Sequence, residues 1–218
     1  MSSTLAVSVV APRTSRAGYR AFARIALAAV GAVGILTATN RAAEAQAAAE
    51  QKSGWEFLVS SGTVVPTGAQ RDAIKRGNLT AAQLSYVARP ALALTATLGW
   101  ARSRDIASTG DPKLDVFTYD LGAELRAARR TGGRAVTFSP FAGVGAGGRS
   151  YNYRSLRVDA THNVAAYGSA GGELGFRRVR VRIEARDYVT GFKPLRGEGA
   201  AETRNDVVLV AGLRITRR

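Results

Sequence analysis

From Trp55 to the C-terminus, apolar and polar residues alternate with a period of two in one segment after another. Successive side chains of a β-strand point to opposite faces, so this period predicts strands with two unlike sides. In "VRVRIEARDY", Val179, Val181, Ile183 and Ala185 fall on one face and Arg180, Arg182, Glu184 and Arg186 on the other. A second run sets Phe117, Tyr119, Leu121, Ala123 and Leu125 against Thr118, Asp120, Gly122, Glu124 and Arg126. A third sets Leu92, Leu94, Leu98 and Trp100 against Ala93, Thr95, Thr97 and Gly99, and the last places Val207, Leu209, Ala211, Leu213 and Ile215 opposite Gly212 and Arg214. Eight such segments are predicted, over residues 55–63, 80–88, 91–102, 116–126, 136–148, 164–176, 179–189 and 207–216.

Alternation alone does not say which face meets water, because a soluble sandwich and a membrane barrel share the period. The composition of the polar face decides. It holds mostly Gly, Ala, Ser and Thr with single Glu and Arg residues, rather than the Lys, Glu and Thr of a solvated sheet. Small residues with a few opposed charges suit the crowded interior of an eight-stranded barrel, which has room only for side chains. Connectors agree: they are short after the second, fourth and sixth segments and longer after the first, third, fifth and seventh, at about 64–79, 103–115, 149–163 and 190–206. Short turns at one end and long loops at the other are the habit of a bacterial outer-membrane barrel with both termini in the periplasm. The predicted fold is therefore all-β, an eight-stranded antiparallel up-and-down transmembrane β-barrel. In that orientation Trp55, Phe57, Tyr86, Phe138 and Phe176 face outward near the periplasmic end, and Trp100, Phe117 and Tyr119 near the external end. Two aromatic girdles flanking an apolar band are expected at the headgroup levels.

The first segment of the chain is not read as fold. Residues 1–24 carry Arg13, Arg16, Arg20 and Arg24 and no acid, an apolar run follows over 25–39, and Ala43-Glu44-Ala45 closes it. That is the order of a secretory signal peptide, expected to be cleaved after Ala45; the apolar core is short for a membrane-anchoring helix, which needs about 20 residues. Residues 46–53 are then a short periplasmic linker and 54–218 the barrel domain. The whole chain has 31 Lys and Arg against 16 Asp and Glu; without the five Arg and one Glu of 1–45, 26 and 15 remain, a charge of +11. Excess positive charge often signals nucleic acid, but an exported chain meets lipid phosphates instead, so no nucleic-acid partner is expected. With no Cys, no disulfide or thiolate metal site staples the fold.

On "SPFAGVGAGG", "SAGGELGF", "VRIEARDY" and the final alternating "VVLVAGLRI", the chain from about Gly54 onward resembles the OmpA-like or OmpX-like family of small eight-stranded outer-membrane β-barrels. The resemblance implies residence in the bacterial outer membrane, contact with its lipid and lipopolysaccharide, insertion by the barrel assembly machinery, and long loops free to meet an external ligand. It says little about function, since small barrels of this group serve as anchors, adhesins, enzymes and more. One departure stands out: the chain ends Ile215-Thr216-Arg217-Arg218 where the family usually closes on an aromatic residue.

Candidate chemistry changes the picture little. Gly143, Gly145 and Gly148 have the G-x-G-x-x-G spacing of a dinucleotide turn, but no helical period follows them. Gly143, Gly145 and Gly147 read instead as lumen positions on a tightly curved strand. The inward set includes Glu56, Glu124, Glu173 and Glu184 with Arg126, Arg180, Arg182, Arg186 and Arg214. Buried carboxylates need cations beside them, so an ion-pair network plugging the lumen is expected; a polar pore is the alternative. His162 is the only imidazole and falls in the predicted external loop "DATHNV", where a solvated role is expected. An outer-leaflet acyl hydrolase or transferase would need His162 with a partner such as Ser155 or Ser169. No metal-ligand spacing occurs and no cofactor is expected. The expected function is a structural or surface-interaction barrel, not an enzyme.

Overall fold

A computed structural model describes residues 53–216 except 128–129, 133–135, 155, 177–178, 194 and 196–201. The leader and most of the linker predicted above, and the chain's last two residues, lie outside the described part. Eight long strands form the wall: β1 (Gly54–Thr67), β2 (Gly77–Arg89), β3 (Leu92–Arg104), β4 (Lys113–Arg126), β6 (Val136–Tyr153), β7 (Thr161–Phe176), β8 (Val179–Phe192) and β9 (Glu202–Thr216). A three-residue strand, β5 (Arg130–Gly132), pairs with the start of β6 at the periplasmic end. Every pairing is antiparallel between neighbours along the chain, except where β4 skips β5 to meet β6 and where β1 meets β9. That last ladder, from Glu56↔Thr216 to Thr67↔Asn205, closes the ring of eight long strands.

Parity sorts the two faces as the sequence predicts. Leu98, Leu121 and Ile183 stand outward and are 67%, 71% and 63% exposed, and Leu94, Val144, Leu209 and Leu213 join them. A continuous apolar surface of this size on a barrel whose interior is charged matches hydrocarbon rather than water. Most inward positions are buried, including Glu56, Glu124, Glu173, Glu184, Arg182 and Arg214 at a few per cent exposure. On β6, Gly145 makes room in the lumen: a Cβ there would collide with the ring of Tyr167 and the carbonyl of Leu121.

The strands run farther at the external end than the sequence segments do, and the reason is chemical. Above about the level of Trp100 the alternation continues but its polarity inverts. Val64, Leu79, Leu114, Val116, Tyr151, Tyr153, Phe192 and Val208 point inward and are buried, while Asn78, Arg102, Lys113, Asn152 and Arg154 face out. Once the wall leaves the hydrocarbon its outside must be polar and its inside can be apolar, as in a water-soluble barrel. A reading that follows the apolar-out pattern stops the strands there. The external connectors shrink accordingly to 68–76, 105–112, 154–160 and 193–201. The first of them folds over the mouth: Ala73 and Ile74 join the external apolar core, beside a 3-10 turn over Gly68–Asp72. Asp105 ties three segments together, accepting from the backbone of Ala107, Ser108 and Leu195 at 3.0–3.1 Å and from the hydroxyls of Ser108 and Tyr153 at 2.9 and 2.6 Å. Burial, and then that hydrogen bond to Asp105, raise the Tyr153 phenol above its ordinary pKa.

Candidate functional site

Strand parity brings one side chain in two to the barrel axis, and the nine charged residues singled out from the sequence meet there. Arg182 on β8 is the central node, donating from Nε to Glu184 at 2.9 Å, from Nη1 to Glu173 at 2.9 Å and from Nη2 to Glu124. Toward the periplasmic end Glu56 accepts from Arg126 at 2.6 Å, Arg214 at 2.9 Å and Arg180 at 3.3 Å. Arg126 also reaches Glu124 at 2.6 Å, and Arg214 lies 3.0 Å from Glu173. Toward the external end Arg186 donates to Glu184 and, with its other nitrogens, to Gln83 at 2.6 Å and Thr97 at 3.3 Å. Buried charges stay ionised only when paired and hydrogen-bonded on most sides, and each carboxylate here has two or more cations within reach.

Two further pairs escape the sequence reading. Arg149 pairs with Asp206, and Tyr188 donates to Asp120, which also lies 3.9 Å from Arg186. Their signal was parity: Arg149 continues the inward row of Gly143, Gly145 and Gly147, and Asp206 that of Val208 and Val210. With them, six arginines (126, 149, 180, 182, 186, 214) meet six acids (56, 120, 124, 173, 184, 206) in the lumen among the described residues, and these paired charges balance. Aromatic rings fill the gaps: the guanidinium of Arg182 lies 3.4 Å from the Phe141 ring centre, Arg149 4.2 Å from Tyr188 and Arg186 5.0 Å from Tyr167. Cation and ring attract each other most strongly where water is excluded.

On the outer face, Trp55, Phe57, Tyr86 and Phe138 stand exposed at the periplasmic end, with the Trp55 and Tyr86 rings 5.1 Å apart. Trp100, Phe117 and Tyr119 stand exposed toward the external end, Trp100 and Phe117 stacked at 6.5 Å. Phe176 is the last residue of β7, and its side chain lies outside the described part.

His162 departs from its predicted place. It is the second residue of β7 rather than part of a loop, because the strands outrun the hydrocarbon and take "THN" into the ladder beside Ser150. Its Nδ1 lies 2.6 Å from Ser150 Oγ, which shares a 3.2 Å hydrogen bond with the Tyr119 hydroxyl. Of the two serines suggested for it, Ser169 does not become its partner, having the opposite parity and sitting seven residues away on the lumen side, and Ser155 lies outside the described residues. Just above this group Arg102 stacks on Trp100 at 4.1 Å and Arg154 donates to Asp115 at 3.0 Å. Burial pushes the Asp115 carboxyl up, but Arg154, helped by Trp100 and Arg102, outweighs it and holds the group below its ordinary pKa.

The closed ring, apolar outside and ion-paired within, defines a small eight-stranded barrel of the outer-membrane type. No family model matches the chain, and no curated protein matches it by sequence. Among solved structures it is similar to Neisserial surface protein A, at 12% identity, with 77% of this chain and 100% of that one covered and a TM-score of 0.51. It also matches the N-terminal barrel domain of Pseudomonas aeruginosa OprF at 13% identity, covering 76% of this chain and 100% of that one, with a TM-score of 0.43. The outer-membrane protein OprG from Pseudomonas aeruginosa matches at 14% identity, covering 75% and 96%, with a TM-score of 0.42. The first of these likenesses carries the assignment of the fold and nothing beyond it.

Proposed function

We propose that the protein resides in the bacterial outer membrane as a structural and surface-interaction barrel, closed to solutes and acting through its outer wall and external loops rather than by catalysis. The observation that carries this reading is the filling of the lumen in two layers. The Arg–Glu network occupies the periplasmic and central levels, and the apolar cluster of Tyr151, Phe192, Leu114, Val64 and Ile74 occupies the external level beneath the folded loops. An eight-stranded barrel has an interior just wide enough for such side chains, so a conduit would require both layers to yield. Contact with lipopolysaccharide is supported by the exposed cations at the external end, among them Arg71, Lys75, Arg76, Arg102 and Lys113. The aromatic rows at the two ends of the wall fit headgroup-level girdles, and insertion by the barrel assembly machinery is part of this proposal. The test is outer-membrane fractionation with heat-modifiable gel mobility, followed by reconstitution into planar bilayers. A heat-modifiable band in the outer-membrane fraction and no unitary conductance are expected; steady channel steps would overturn the closed-barrel reading.

A further inference from the structure

The outer wall carries a groove of about 770 Å3 that the closed-barrel function does not use. It runs along the hydrogen-bonding direction between two rungs of the sheet. One rung is Phe57, Leu84, Ala96, Leu121 and Ala146, and the next is Ala82, Leu98, Tyr119, Gly148 and Val164. Alternating small and large residues leave the floor at Ala82, Ala96, Ala146 and Gly148. A Cβ on Gly148 would strike the Tyr119 ring, so this glycine lets the ring lie flat across the wall while its hydroxyl reaches Ser150.

The groove has a direction. Phe57 is three residues into β1 at the periplasmic end, whereas His162 and Val164 open β7 at the external end, so the rungs climb as they cross six strands. Five strand spacings make it roughly 24 Å long. Phe57 stands at the periplasmic end and Leu121 near mid-depth, so the groove crosses the midplane, and its upper stretch, from Leu121 and Ala146 to Val164 and His162, lies on the outer-leaflet side. Its upper end meets the rung of Trp100, Phe117, Ser150 and His162, where Ser150 and His162 are hydrogen-bonded, and Arg102 and Arg154 stand just above.

The upper stretch of the trough, with hydrogen-bonding groups at its end and, beyond them, Arg102 and Arg154 against the single carboxylate of Asp115, has the order of an anionic lipid: chain, carbonyl junction, charged headgroup. We propose that the upper stretch of the groove seats one acyl chain of an anionic outer-leaflet lipid, its carbonyl junction at Ser150 and His162 and its headgroup at Arg102 and Arg154. The seat rests on the membrane reading above, since only there does the outer wall face lipid.

The experiment uses the full barrel in phosphatidylcholine vesicles containing phosphatidylglycerol with a diazirine midway along one acyl chain. After photolysis, mass spectrometry of the peptides is expected to find adducts concentrated on the groove residues over the opposite wall at Ile183, Leu209 and Leu213. Ala146→Trp should bring groove labelling down to the level of that wall while leaving heat-modifiable mobility intact. Replacing Ser150 and His162 together by Ala should spread the adducts along the groove. Equal labelling of both walls in the native barrel overturns the seat and leaves the membrane barrel standing, whereas protection of both walls overturns the membrane reading as well. Unchanged adduct positions in the double variant remove Ser150 and His162 from the site.

Discussion

At the scale of the residue, the value of a charge in this protein depends on where its partners stand. Glu184 accepts from both Arg182 and Arg186, and all three side chains are at most 7% exposed. Removing the carboxylate leaves two cations in a dry interior with less to neutralise them, an imbalance worth about 3 to 5 kcal/mol when one member of a buried pair is lost. Glu184→Ala is therefore expected to lower the stability of the detergent-solubilised barrel by that amount in denaturant titrations. Glu202 also pairs with an arginine, Arg204, but is 72% exposed, so Glu202→Ala should cost no more than about 1 kcal/mol. Equal losses from the two variants would mean that water reaches the lumen network.

At the scale of the element, each strand reads a medium that changes along its length. β4 begins with Lys113 and Asp115 outward, passes Phe117 and Tyr119, and then presents Leu121, Ala123 and Leu125. Arg placed at Leu121, near mid-depth, is expected to cost roughly 2 to 4 kcal/mol, and Arg at Phe138, near the periplasmic rim, only about 0 to 1. Refolding into lipid vesicles measures both. A depth-independent cost would contradict a wall immersed in hydrocarbon, and complete loss of folding on Leu121→Arg would mean that this side faces a protein core. The same depth logic explains why the predicted segments stop early at the external end: β6 continues through Arg149, Tyr151 and Tyr153 with its inward face turned from glycine to aromatic.

At the scale of the whole molecule, the proposed closure has two independent parts. The ion-paired network lies at the periplasmic and central levels, apart from the Asp105 hub that binds the second external connector to β6 and to the segment at Leu195. Asp105→Ala should free the hub's partners and make residues 106–112 susceptible to external proteinase K, while leaving bilayer conductance at zero. If the variant conducts, the loops alone close the barrel and the network does not. Independence also predicts that Glu184→Ala leaves the loops protected.

The sequence by itself determined the strand period, the handedness of in and out on each strand, the alternation of short and long connectors, and hence the closed antiparallel barrel. It also determined that Glu56, Glu124, Glu173 and Glu184 share a face with five arginines, because parity is a local property that every strand writes into its own residues. What only the tertiary structure decided was register. Whether Arg182 meets Glu124 and Glu173, whether Arg149 finds Asp206, and that His162 lies beside Ser150 all depend on how far one strand is shifted against the next. That shift is set by the closure of the whole ring, and no single segment carries it. The inversion of polarity at the external end belongs to the same class, since a residue's surroundings there depend on the level at which eight tilted strands together leave the hydrocarbon.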